Sequence, residues 1–120
     1  MTQSDTTSRD NPTLQYREER NDGTNVRLYL SGEVDMRVAP DLRTLLHRVI
    51  EEDPAELAVD LADVPFIDSS GVATLVEAQR ILMGKEKKIR LENPSDAVRY
   101  TLKITQLLRV FGIEEDDTEK

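Results

Sequence analysis

The 120-residue sequence has no cysteine, one histidine, few aromatics and no long apolar run. Without cysteine there are no disulfides, no thiol nucleophile and no cysteine-ligated metal, and His47 alone leaves little else to hold a transition metal. No apolar stretch approaches the ~20 residues that a membrane-crossing helix needs, and the polar N-terminus lacks a signal peptide's hydrophobic region. The expectation is a cytoplasmic protein with no membrane insertion. Basic residues are also in deficit: 16 against 24 acidic ones give a net charge of −8, which repels phosphate backbones and anionic membranes. Nucleic acid is therefore not an expected partner. The local run Lys85-Glu86-Lys87-Lys88 contains a glutamate and reads as a solvated turn.

What is present suits one globular domain. The chain is long enough for one core and too short for two, and 38% apolar with 33% charged residues is a normal globular balance. With aromatics at 4%, that core must be mainly aliphatic. Residues 1–13 are polar and expected to form a disordered tail. Residues 14–113 form the domain, and residues 114–120, with five carboxylates and no apolar side chain, form a second, acidic disordered tail.

Along the domain, Leu14 to Glu19 suits a first strand, and Asn21-Asp22-Gly23 offers the chemistry of a reversing turn. Val26, Leu28 and Leu30 alternate with Arg27, Tyr29 and Ser31, the period of a strand with one face inward. Beyond Gly32-Glu33-Val34-Asp35, the residues Val38, Leu42, Leu45, Leu46 and Val49 recur at helical spacing, with Pro40 tolerated in the first turn. The helix so predicted runs from Ala39 to Glu52 and ends at Asp53-Pro54. Leu57 to Leu61 suits a buried strand with Asp60 as its awkward member. A second helix starts at Asp68-Ser69-Ser70-Gly71, turns Val72, Leu75, Val76 and Leu82 inward, and has Gly84 placed to cap it. Ile89 and Leu91 mark another strand. Ser95 and Asp96 open a third helix carrying Val98 and Leu102, while Leu107 to Ile113 suits either a fourth short helix or an edge strand. This order implies an α/β fold: a mostly parallel mixed sheet of four to five strands layered with three to four helices.

The stretch from Asp63 to Val72 passes from a strand end through a loop into a helix start, where serine oxygens can accept a helix's first backbone N–H groups and Gly71 leaves the backbone accessible. Such a helix end also suits a phosphate, through its free N–H groups and partial positive charge. Phosphorylating serine there would add about −1.5 to −2 charges without opposing the fold, so a surface packed on the bare hydroxyl would lose its fit. From these four residues alone, a plain N-cap is the better explanation of the serines, since serine capping is so frequent.

The wider pattern separates the two readings. Gly32-Glu33-Val34-Asp35 after a strand, Val64-Pro65-Phe66-Ile67-Asp68-Ser69-Ser70-Gly71-Val72, and Asn93-Pro94-Ser95 leading into a helix together resemble the STAS family, and within it the bacterial anti-sigma factor antagonists. The resemblance spans Leu14 to Ile113. It implies a STAS-like fold, and a non-enzymatic binding domain phosphorylated at Ser69, with Ser70 the weaker candidate. The implied partners are an anti-sigma factor that is itself a serine kinase, bound by the unphosphorylated form so that a sigma factor is released, and a PP2C-type phosphatase that resets the cycle. ATP and magnesium would belong to the kinase, so no cofactor is assigned to this chain. Partner contact is expected from Glu33, Asp35, Asp68, Ser69, Ser70 and Gly71, on a monomer or weak homodimer. Relatives often carry glycine near Gln106, so this chain must make that turn without one, at a cost of ~1 kcal/mol.

Three alternatives are weaker. A soluble STAS subunit of a lipid-transport ABC complex would need no phosphorylation cycle. A hydrolase using Ser69 or Ser70 would need a base, yet the nucleophile-elbow motif is absent and His47 is expected on the solvent side of the first helix. Asp60 and Asp63 could attract a cation but suit loop hydrogen bonding better. Adjacent pairs such as Glu51-Glu52 and Glu114-Glu115 read as solvated charge. Tyr16, Tyr29, Phe66 and Phe111 are expected in or near the core, and exposed Val34 and Met36 beside the motif are expected to help a partner dock.

Overall fold

The computed structural model describes residues 13–21 and 24–113. Strand β1 (Gln15–Asn21) pairs antiparallel with β2 (Asn25–Ser31), and the chain then alternates α1 (Ala39–Glu51), β3 (Glu56–Asp63), α2 (Ser69–Met83), β4 (Ile89–Glu92) and α3 (Asp96–Ile104), followed by a 3₁₀ turn at Arg109–Phe111. Two strands separated by a helix pair parallel, so β2–β3 and β3–β4 are both parallel and the sheet order is β1-β2-β3-β4. This is the mixed, mostly parallel sheet with helices that the sequence predicts. Asp22 and Gly23 of the expected hairpin turn, and both expected tails apart from Thr13, lie outside the described residues.

Strand alternation sends Val26, Leu28 and Leu30 of β2, Leu57, Val59 and Leu61 of β3, and Ile89 and Leu91 of β4 into one aliphatic core. Helix α1 meets it with Leu42, Leu45, Leu46, Val49 and Ile50, and α2 with Val72, Leu75, Ala78 and Leu82. Gln79 is the polar member, 1% exposed; its amide accepts from Ile89 N–H at 2.7 Å and donates to the Val110 carbonyl at 2.8 Å, tying α2 to β4 and the C-terminal turn. The opposite face of the sheet carries charge, with Arg17 of β1 stacked 3.9 Å from the Tyr29 ring centre on β2 and Arg27 of β2 paired with Glu92 of β4.

Several local expectations differ from the structure. Leu107 to Ile113 forms neither an α-helix nor a strand but the 3₁₀ turn, whose Phe111 is buried. Gly84 does not take the left-handed cap: it is still right-handed (φ −65°), and Glu86 (φ 63°) makes the turn, with Glu86 N–H on the Met83 carbonyl and Lys87 N–H on that of Leu82. Gln106 adopts the same geometry (φ 63°) after α3, with Leu107 N–H on the Leu102 carbonyl, so the turn forms without glycine. Tyr16 and Phe66 are exposed, because the first sits on an edge strand and the second in a loop, where no residue period forces an aromatic inward. Val34 is fully buried for a reason given below. His47 is half-buried, its Nε2 turned into the seam between α1 and α2, 3.9 Å from Glu77 Oε1.

Candidate functional site

The loops that leave β2 and β3 lie side by side at the carboxyl ends of two parallel strands, the place where open α/β sheets build their sites. Gly32, at φ 88° and with its N–H on the Asp63 carbonyl at 3.0 Å, lets the first loop depart from the sheet. The loops are then stitched together: Val34 N–H donates to the Phe66 carbonyl at 2.9 Å, Asp68 N–H donates to the Val34 carbonyl at 3.1 Å, and Val34 and Ile67 form a single parallel bridge. That pairing drives Val34 and Ile67 into the core and leaves Met36 outside, 69% exposed. The expectation that Val34 is exposed is thus corrected, while Met36 is exposed as expected.

Asp68 caps α2. One carboxylate oxygen accepts Ser70 N–H at 2.9 Å and Gly71 N–H at 3.1 Å, while the other accepts Met36 N–H at 3.2 Å from the neighbouring loop. The serines therefore do not cap the helix, and two of the N–H groups that a phosphate could have used already hold a carboxylate. An aspartate preceding the helix outcompetes a serine inside its first turn, since it reaches the N2 and N3 donors with a full charge. Ser69 and Ser70 occupy the first two helical positions; Ser69 is exposed and Ser70 half-buried, with its carbonyl accepting the Thr74 hydroxyl at 2.9 Å.

Gly71 is buried, not an accessible stretch of backbone. A Cβ there would stand 2.7 Å from Ile67 Cγ1, 2.8 Å from Val34 Cγ1 and 2.9 Å from the Val34 carbonyl oxygen. Glycine is required because the helix start rests directly on the stitched loops. A second brace lies behind: Ser95 Oγ donates to the Val64 carbonyl at 2.7 Å, and the 7%-exposed Asp60 accepts from Asn93 Nδ2 at 2.7 Å and from Ala62 N–H at 2.9 Å. Asp60 thus does the loop hydrogen bonding expected of it. Among the described residues, no three carboxylate or histidine side chains converge to hold a metal ion.

Around Ser69 the surface is acidic and partly apolar. Glu33 is exposed, and Asp35 is half-buried, its carboxylate gripped by Arg37: the Arg37 backbone N–H donates at 3.0 Å, Nε at 3.2 Å and Nη2 at 2.8 Å. This hydrogen-bonded guanidinium holds the Asp35 carboxyl below its ordinary range, against a smaller opposing effect of burial. Phe66, 46% exposed, and Met36 supply apolar surface beside the serine. Of the residues named from the sequence, Glu33, Asp35, Asp68, Ser69 and Ser70 lie on the two adjoining loops and the helix start, and Gly71 sits beneath them. Sequence reasoning missed Arg37 and the outward Phe66; an arginine two residues past an aspartate in a loop was the available signal for the first. His47 faces Glu77, eight residues and about 12 Å of helix rise from Ser69. That is too far to serve the serine as a base.

Residues 16–119 match the family model of the STAS domain. The anti-sigma-B factor antagonist of Bacillus subtilis is 29% identical over 89 residues, covering 74% of this chain and 81% of that protein. A solved anti-sigma factor antagonist from Mycobacterium paratuberculosis superposes with a TM-score of 0.75 at 27% identity, over 88% of this chain and 89% of that one. The Bacillus antagonist SpoIIAA is similar in fold in both of its solved forms. The unphosphorylated form gives a TM-score of 0.73 at 23% identity over 88% of this chain and 91% of its own, and the phosphorylated form 0.66 at 22% over 88% and 95%. No helix among the described residues is long and apolar enough to cross a membrane.

Proposed function

The chain belongs to the STAS domain family, and from that premise we propose that it is an anti-sigma factor antagonist whose docking on its partner is controlled by phosphorylation of Ser69. The observation that carries this reading is the exposed Ser69 hydroxyl on a fixed helix start, where Asp68 makes the cap and the serine is left uncommitted. A surface rimmed by Glu33, Asp35 and Asp68, with Met36 and Phe66 beside them, suits a partner that offers cations around an apolar patch.

In the proposed cycle the partner is a serine kinase that binds ATP and magnesium itself. Ser69 Oγ attacks the γ-phosphorus; the new Oγ–P bond forms, the bond to ADP breaks, and the hydroxyl proton passes to a base of the kinase. A PP2C-type phosphatase reverses this by hydrolysis: water oxygen joins phosphorus, and the departing Oγ recovers a proton. The modification adds about −1.5 to −2 charges to a face that already holds three carboxylates. Burying that charge against a bound partner is what loosens the complex, since desolvation is then uncompensated. The freed partner can again hold its sigma factor.

Binding of the purified kinase to three forms of the full chain tests this. The unmodified protein and Ser69→Ala are expected to bind alike, while the phosphorylated protein binds at least about tenfold more weakly, the equivalent of 1.4 kcal/mol. Equal affinity for all three would overturn the switch. Recovery of a transporter ATPase subunit in place of a kinase from native cells would support the lipid-transport reading instead.

A further inference from the structure

Within residues 32–38 and 62–71, Arg37 is the only basic side chain, set against Glu33, Asp35, Asp63 and Asp68. It is over half exposed, yet one edge of its fork is engaged: Nε and Nη2 both hold Asp35, and Nη2 lies 3.8 Å from Glu33. Its neighbour Met36 donates its backbone N–H to Asp68, and Ser69 directly follows Asp68. Arg37 and Ser69 are therefore each one residue away from the same inter-loop hydrogen bond.

A carboxylate and a phosphate compete for a guanidinium on the same terms, because both offer two oxygens to its planar fork. The phosphate carries nearly twice the charge and a third oxygen. A long arginine side chain that starts one residue from Met36, with the dianion arriving one residue from Asp68, loses little by exchanging one anionic partner for another.

We propose that Arg37 is a phosphate-receiving latch: paired with Asp35 while Ser69 is bare, it transfers its guanidinium to the phosphate once Ser69 is modified, and Asp35 keeps the Arg37 backbone N–H without the guanidinium. One modification then rearranges charge at two positions of the docking face, and the phosphate is partly neutralised within the chain itself. This inference rests on the reading of Ser69 as the modified residue.

The test uses the full chain with phosphoserine installed at position 69 during translation, so that no cognate kinase is needed. Phosphorus NMR follows the step from mono- to dianion, which for a free phosphoserine falls near about pH 6. Glu33, Asp35, Asp63 and Asp68 push that midpoint up and the N-terminus of α2 pulls it down; all of these are common to the protein and its Arg37→Gln variant. The midpoint in the parent chain is expected at least about 0.5 pH unit below that in Arg37→Gln, with Arg37→Lys between them and the gap narrowing in high salt. In the same samples the Arg37 Nε–H resonance is expected to move on phosphorylation. It should titrate with the phosphate. Equal midpoints in the parent and Arg37→Gln, or an Arg37 resonance unmoved by the phosphate, would overturn the latch. Failure of the underlying reading has a separate signature: mass spectrometry of the protein from its native cells would find Ser69 unmodified under all conditions, whatever the NMR shows.

Discussion

The two ends of α2 meet the same need, partners for unpaired backbone groups at a helix terminus, in opposite ways. At the start a side chain does the work: Asp68 collects N–H groups from Ser70, Gly71 and, across the loop, Met36. At the finish the main chain closes on itself, with Gly84, Lys85, Glu86 and Lys87 N–H groups returning to carbonyls of Arg80, Leu82 and Met83. The start admits no added methyl group at position 71, while the finish bears a surface pair of Lys87 with Asp53 at 2.7 Å. Order at the start is thus supplied by every neighbour of Ser69 and by nothing that uses its hydroxyl. That division lets a residue be altered chemically while its supports stay in place.

Substitutions can break this contrast. Gly71→Ala should have the largest effect, since the new carbon must displace Val34 and Ile67; a loss of about 1–3 kcal/mol is expected in thermal unfolding, a fall in Tm of several degrees. Asp68→Ala removes the cap and the stitch to Met36 and should cost about 1–2 kcal/mol, read by urea denaturation. At the other end Glu86→Gly should stabilise by about 0.5–1 kcal/mol, because glycine takes the left-handed turn without steric conflict. Lys87→Ala should stay within about 0.5 kcal/mol, as an exposed ion pair is worth little. If the changes at positions 86 and 87 proved as damaging as those at 68 and 71, the two ends would not differ in the way described.

Where side chains repeat with a clear period, structure followed from sequence. The faces of α1 and α2, the inward residues of β2, and the placing of Asp-Ser-Ser-Gly at a helix start were all legible, because burial of an aliphatic stripe dictates them. Loops have no such period. Val34 reads as exposed until its bridge to Ile67 is known, and Phe66 reads as core until the same bridge turns its neighbour inward instead. The left-handed residue Glu86 was equally hidden, whereas Gln106 was marked in advance as a turn made without glycine; at both, a cost of ~1 kcal/mol is readily outweighed by the packing of Leu82, Leu102 and Phe111 nearby. Assigning the cap to serine failed for a subtler reason: Asp68 and Ser69 are both good caps, and only the helix's actual first residue decides between them.

The hydrogen bond from Met36 to Asp68 joins positions thirty-two residues apart in the chain. An enzyme acting on Ser69, as proposed, would therefore meet tertiary structure, a ready-made relief of two loops and a helical turn, and not a flexible thread it can draw into a groove. A synthetic hexapeptide spanning Ile67–Val72 would present the same hydroxyl with none of that relief. Selectivity for this serine over others of similar local sequence would then be written in the folding of the substrate, and unfolding would erase it.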